Sequence, residues 1–224
     1  NEPQAVALMT DVGADRTSLH NVRLLGYQDT LFTLAGRTHI RHSEIAGNID
    51  FIFGAGQTVI DQCDLVSRPR GRDLPTGEMT GFVTAPSTPL VDQFGLVVMN
   101  SCLLRESDQV VDASCPLGRP WHPTTSFPDG RYANPNAIGA AVFLNCWMDS
   151  HITAAGWDKM HGTARTPGKK DWFYPDHPAH ARFAEYGSSG PGAQSHPLRR
   201  QLSENEAAAY TPQRILRGWR PSTH

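Results

Sequence analysis

Apolar residues along this chain come in short runs, not in long amphipathic stripes. Val22-Arg23-Leu24, Thr58-Val59-Ile60, Leu96-Val97-Val98-Met99 and Ala141-Val142-Phe143-Leu144 are each bounded by Gly, Asn or Asp. Short runs between turn formers read as strands. Before residue 200 no segment carries a sustained helical period.

The runs recur. The segments HNVRLLGYQDTLF, RHSEIAGNIDFIF and DQCDLVSRPRG align on Leu24, Ile45 and Leu65, in steps of 21 and 20 residues. NSCLL and LNCWM place Leu104 and Met148 in the same register after steps of 39 and 44, about two repeat lengths each. A lone strand cannot bury its inward side, whereas coils stacked at a fixed period share a continuous core. That logic predicts an all-β solenoid, a parallel β-helix with long loops interrupting the coils. The spacing of a leucine-rich repeat is absent, and a β-sandwich is the alternative that periodicity alone leaves open. Past Met148 the repeat fades, and residues 164–192, rich in Pro, Gly, His and aromatics, read as a packed loop. In residues 202–210 (LSENEAAAY), Ser203 as N-cap with Glu206 three residues on forms a capping box. A short helix is expected there, covering an end of the solenoid.

Composition narrows the function. The 224 residues suffice for one domain with a sizeable core. With 20 Lys+Arg against 22 Asp+Glu the chain has no basic footprint for nucleic acid, and no apolar run reaches membrane-spanning length. Cys63, Cys102, Cys115 and Cys146 form no CxxC, and the 10 histidines form no HxH or HExxH, so neither a zinc nor a redox motif is present. Disulfides and buried free thiols both remain open.

The candidate chemistry lies in the repeat. Asp29 follows Leu24 by five residues and Asp50 follows Ile45 by five, which makes them equivalent positions on successive coils. Neighbouring strands lie about 4.7–4.9 Å apart. Two carboxylates at that range cannot both ionise freely, so one becomes a proton carrier and the other stays charged. Stacked aspartates also cap turns in solenoids. Here, however, both are set among aromatic and β-branched residues, where a carboxylate costs desolvation. Gln28 and Gln4 are candidate amide donors for an oxyanion hole. Arg119 could grip one carboxylate with both arms, and Trp121 offers a flat face to a sugar.

The strings PQAVAL, GYQDTL, GNIDFIFG and LGRPW, in this order, resemble the signature motifs of the pectin methylesterase (pectinesterase) family. HPTTSFPDGRYANPNAIG, GWDKM and RRQLSENEAAAYT are similar to its bacterial secreted branch. The resemblance implies a right-handed single-stranded parallel β-helix without metal or organic cofactor. It further implies a secreted monomer that removes methyl groups from methyl-esterified galacturonate units of pectin. Carried over residue by residue, it makes Asp50 the nucleophile, Asp29 the general acid/base, Gln28 and Gln4 the oxyanion hole and Arg119 the residue that orients Asp50. Trp121, Phe53, Arg70, Thr124 and Met160 would contact substrate. It also implies coils upstream of PQAVAL, so that residues 1–224 form one β-helix catalytic domain lacking its N-terminal coils and signal peptide. Ser43 stands where many members carry a cysteine paired with the one at Cys63, and that bond cannot form here. The rival readings are a retaining glycosidase, an esterase or thioesterase for another acyl group, and a non-catalytic carbohydrate-binding solenoid.

Overall fold

The computed structural model describes residues 4–221, so Pro3 of the PQAVAL motif lies outside the described residues. Three parallel sheets are built from strands of successive coils. Sheet 1 holds Leu8–Thr10, Leu31–Thr33, Ile52–Gly54 and Thr84–Pro86. Sheet 2 holds Thr17–His20, Arg37–Arg41, Gln57–Asp61, Leu96–Met99, Ala137–Leu144 and Ala181–Tyr186, with Thr88–Pro89 as an antiparallel edge. Sheet 3 holds Arg23–Leu25, Glu44–Gly47, Asp64–Ser67, Cys102–Arg105 and Trp147–Met148. This is the predicted parallel β-helix.

The corner between sheets 2 and 3 explains why the coil period is so regular. Asn21, His42, Gln62, Asn100 and Asn145 all adopt left-handed backbone, with φ between 49° and 55°. Asn tolerates this region because its short amide bonds locally. Each corner amide donates to the strand end of the next coil, for example Asn21 N to Arg41 O and Asn100 N to Leu144 O. The position after each corner points inward and stacks as Val22, Ser43, Cys63, Ser101 and Cys146. Ser43 Oγ accepts from Val22 N at 3.1 Å, and Ser101 Oγ accepts from Cys63 N at 3.0 Å. Hydroxyls thus serve the stack at Ser43 and Ser101, and of the two states left open for the cysteines all four are free.

Inside, matched positions form apolar columns. Leu24, Ile45, Leu65, Leu103 and Met148 stack in sheet 3. The expected member Leu104 is therefore wrong by one residue: Leu103 is fully buried, whereas Leu104 pairs with Val66 and is half-exposed. Counting 39 residues from Leu65 went one residue too far: Cys102 pairs with Asp64, so the structural partner of Cys63 is Ser101. In a strand a slip of one residue turns the side chain to the other face.

Residues 164–192 are not one packed loop. Lys170–Phe173 closes an antiparallel hairpin with Met160–Thr163, and Ala181–Tyr186 adds a further parallel strand to sheet 2. The capping box is present: Ser203 Oγ accepts from Glu206 N, and the Glu206 carboxylate accepts from Ser203 N. The helix it starts, α1 (Glu204–Ala207), lies on the flank and not over an end. With α2 (Pro212–Ile215) it sets Ala207, Tyr210, Ile215 and Leu216 against Val59, Val97 and Val142 on the outer face of sheet 2. That face is apolar and has to be covered by something.

The end of the core is closed instead by a charged pair. The column Ile40, Ile60, Val98, Phe143 ends on Glu185. Arg199 donates to Glu185 through Nε at 2.8 Å and Nη2 at 2.6 Å, and both side chains are 1% exposed. Nη1 of Arg199 also donates to Gly192 O at 2.6 Å.

Candidate active site

Two glycine-led turns enter sheet 1 side by side. In Gly26-Tyr-Gln-Asp29 and Gly47-Asn-Ile-Asp50 the glycine lets the chain fold back under its aspartate. A Cβ on Gly47 would lie 2.3 Å from Phe51 Cβ, and one on Gly26 would lie 2.5 Å from Thr30 Oγ1. Thr30 Oγ1 instead fills that space and donates to Ala46 O at 3.0 Å. Asp29 and Asp50 themselves sit at φ 65° and 50°. Two left-handed aspartates in register, two residues before the strands begin, are the sort of strained placement that marks a site.

Asp29 N donates to Ile49 O at 3.0 Å and Leu31 N to Phe51 O at 2.8 Å, so the register sets Asp29 directly beside Asp50. Arg119 reaches Asp50 from two coils away. Its Nε donates to Oδ1 at 2.8 Å and its Nη2 to Oδ2 at 2.7 Å. Both oxygens of Asp50 thus act as acceptors, the form of an ionised carboxylate. The guanidinium lies flat over Phe82, 3.9 Å from the ring centre. Phe82 occupies the coil between them, so it supports Arg119 from below.

Asp29 carries the cost of the pairing. Burial, then the charge of Asp50, raise its pKa to about 6, with Arg119 opposing. Because this folded-state value lies above the ordinary 3.8, protonation favours the fold. The contribution is complete below pH 4 and is lost as pH rises through 6. Asp29→Asn should therefore leave stability at pH 4 nearly unchanged and raise it at pH 7.5 by about 1–2 kcal/mol. Urea unfolding at the two pH values measures this. An equal gain at both would trace the effect to the left-handed backbone, which Asn suits, and not to charge.

The other expected residues fall around this pair. Gln4 and Gln28 form a parallel bridge on neighbouring strands. A slip beside it, where Ala7 N and Leu8 N both donate to Thr30 O, brings Gln4 into line. Among the described residues no hydrogen bond holds either side-chain amide. Phe53 stacks on Phe32 at 4.3 Å, and Trp121 meets both edge-on at 5.7 and 6.3 Å. Arg119 and Trp121 hang from the coil that bridges Thr84 at Gly118, and the next coil bridges Gly118 at Trp157, three residues before Met160. Thr124 bonds Thr163, hydroxyl to hydroxyl, at 2.9 Å. Arg70 stands beside the turn that carries Asp50, since Pro69 O accepts from Asn48 Nδ2 at 3.4 Å, and it lines a depression of about 890 Å³ under loop 69–80.

Three aromatic residues beside the two aspartate turns or Arg119 were not singled out from the sequence. Phe32 sits three residues after Asp29 as Phe53 does after Asp50, a signal the repeat already contained. Tyr27, exposed with the Arg68 guanidinium 4.2 Å above it, and Phe82 carry no such pattern.

The sequence matches the family model for pectinesterases over residues 1–219. The chain belongs to the pectinesterase family. It is 49% identical over 221 residues to pectinesterase A of Dickeya chrysanthemi, a match that covers 99% of this chain and 58% of that protein. This pectinesterase-family chain therefore spans less than two thirds of that relative. Its backbone is similar to pectin methylesterase from Erwinia chrysanthemi, with a TM-score of 0.92 and 48% identity over 99% of this chain and 63% of the other. It is equally similar (TM-score 0.92, 48% identity, 98% and 62% covered) to a pectin methylesterase solved in complex with a hexasaccharide.

Proposed function

We propose that the protein is a secreted pectin methylesterase, a carboxylic ester hydrolase that converts methylated galacturonate units to the free acid and methanol. One observation carries the reading: an Arg-clamped carboxylate, Asp50, beside a carboxyl poised to titrate near pH 6, Asp29, under an aromatic-walled groove. Membership of the family and the hexasaccharide bound by a relative support the polymer substrate. No helix among the described residues is long and apolar enough to cross a membrane.

In this reading Asp50 Oδ attacks the C6 carbonyl carbon of the ester. The oxyanion that develops is met by the amides of Gln28 and Gln4, which are free to turn toward it. Asp29 protonates the departing methoxy oxygen, leaving an acyl anhydride on Asp50. Deprotonated Asp29 then takes a proton from water, the hydroxide attacks the anhydride carbonyl, and Asp50 is regenerated. A carboxyl that titrates near the working pH can serve both half-reactions. Phe32, Phe53, Trp121 and Met160 would pack against sugar faces and methyl groups. Arg70 and Thr124 would contact the polymer on either side.

The test is methanol release from highly methylated pectin by the full-length protein in the presence of EDTA, with polymer length followed in parallel. Methanol without shortening is expected. Shortening without methanol would favour a retaining glycosidase, for which paired carboxylates about 5 Å apart are also suited. Arg119→Lys should lower kcat about 100-fold with little change in KM, because a point charge cannot hold both oxygens of Asp50 in line for attack. A variant that keeps kcat and loses only KM would move Arg119 to substrate binding.

A further inference from the structure

The hairpin Met160–Thr163/Lys170–Phe173 leaves the groove at Met160 and carries a feature that the ester chemistry does not use. Trp172 pairs across the hairpin with His161, edge-on at 5.3 Å, and its indole is 44% exposed. The Lys159 ammonium sits over the indole at 4.9 Å. Lys170 Nζ, on the same face, donates to His161 Nε2 at 3.1 Å. Neither lysine has a carboxylate within ion-pair distance among the described residues. Two ammonium groups without an ion-pair partner are thus held at exposed positions, one over the Trp172 ring and one at the His161 ring nitrogen. Thr163, on that face, bonds Thr124, so the cluster adjoins the groove wall without a break.

We propose that Lys159, Lys170 and Trp172 form a distal subsite for an ionised uronate, a galacturonate unit that has already lost its methyl group. The proposal rests on the esterase reading for the identity of the polymer. Charge decides the occupant: a methylated unit offers these lysines only neutral acceptors, whereas a carboxylate pairs with one ammonium or bridges both. The exposed indole surface takes the C–H face of the ring. Lys159 is already posed by its contact with the indole, so little of its freedom remains to be lost on binding. A subsite that holds the product of the reaction draws the enzyme to chains that are already partly demethylated.

The test is binding of polygalacturonate, which carries no methyl ester, to the full-length protein and to Trp172→Ala and Lys159→Ala/Lys170→Ala. Near-ultraviolet circular dichroism establishes that each variant is folded. Each should bind about tenfold more weakly, the scale of one lost aromatic or desolvated cation contact. The double lysine variant should also lose salt dependence, and its KM should rise on partly demethylated pectin more than on fully methylated pectin. Wild-type binding retained in either folded variant, or no binding by the wild type, overturns the subsite. Absence of methanol release by the wild type would instead overturn the esterase reading, while the binding comparison would still decide whether this cluster takes a polyuronate.

Discussion

Asp50→Ala should lower methanol release by roughly 10⁴-fold or more, the scale on which a lost nucleophile removes a covalent route. Binding of pectin should stay largely intact. Asp50 is buried under Arg119 and Phe82 and contributes little to the groove surface, so the substrate loses almost no contact when it is truncated. What disappears is the carboxylate that Arg119 holds in register with Asp29. Removing its negative charge also takes away one of the two causes that raise the Asp29 pKa, leaving burial as the other. The pH dependence of any residual activity should therefore shift to lower pH. Initial rates with a methanol-specific assay, together with a pectin-binding isotherm, check both parts. Near-normal turnover in this variant would hand the nucleophile's role to another group.

Glu185→Gln should unfold the protein more readily than any surface substitution, by about 3–5 kcal/mol, because it strands a buried guanidinium without its counter-charge. The pair ends the Ile40–Ile60–Val98–Phe143 column, and Arg199 ties Gly192 and Met148 to the same point. The last coil would loosen with it. A solenoid stands or falls on its terminal repeats, since each coil is stabilised only by its neighbours. The expected fall in Tm is ~10 °C for a chain of this size. Replacing both residues, Glu185→Met with Arg199→Met, should recover most of that loss, because an apolar pair of similar volume has no charge to desolvate. Should the double variant be as unstable as Glu185→Gln, the pair would owe its role to shape and not to charge.

Local rules made part of this protein legible before any coordinates. The coil period came from Leu24, Ile45 and Leu65, and the equivalence of Asp29 and Asp50 followed from it, because a left-handed turn and a short strand repeat on every coil. The capping box at Ser203 and Glu206 is likewise a matter of four adjacent residues. Phe32 was readable by the same period and was overlooked. The roles given to Gln4, Gln28, Arg119 and the groove residues came from motif resemblance, not from spacing.

Tertiary structure decided the rest, wherever partners lie far apart or loops of unequal length break the count. Arg119 meets Asp50 across 69 residues, and no periodicity links them. Loop 69–80 shifts the phase before Leu103, so the repeat count slid the strand by one residue and onto the wrong face. The strand Ala181–Tyr186 was hidden because Glu185 and Arg182 interrupt its apolar pattern; only the neighbouring sheet and Arg199 make a glutamate acceptable at an inward position. The helices settled on the flank of sheet 2 because Val59, Val97 and Val142 present an outward apolar face that a single strand's sequence does not distinguish from an inward one. Periodicity reports which residues are equivalent. Which face they turn, and what distant side chain meets them there, is set by packing between coils.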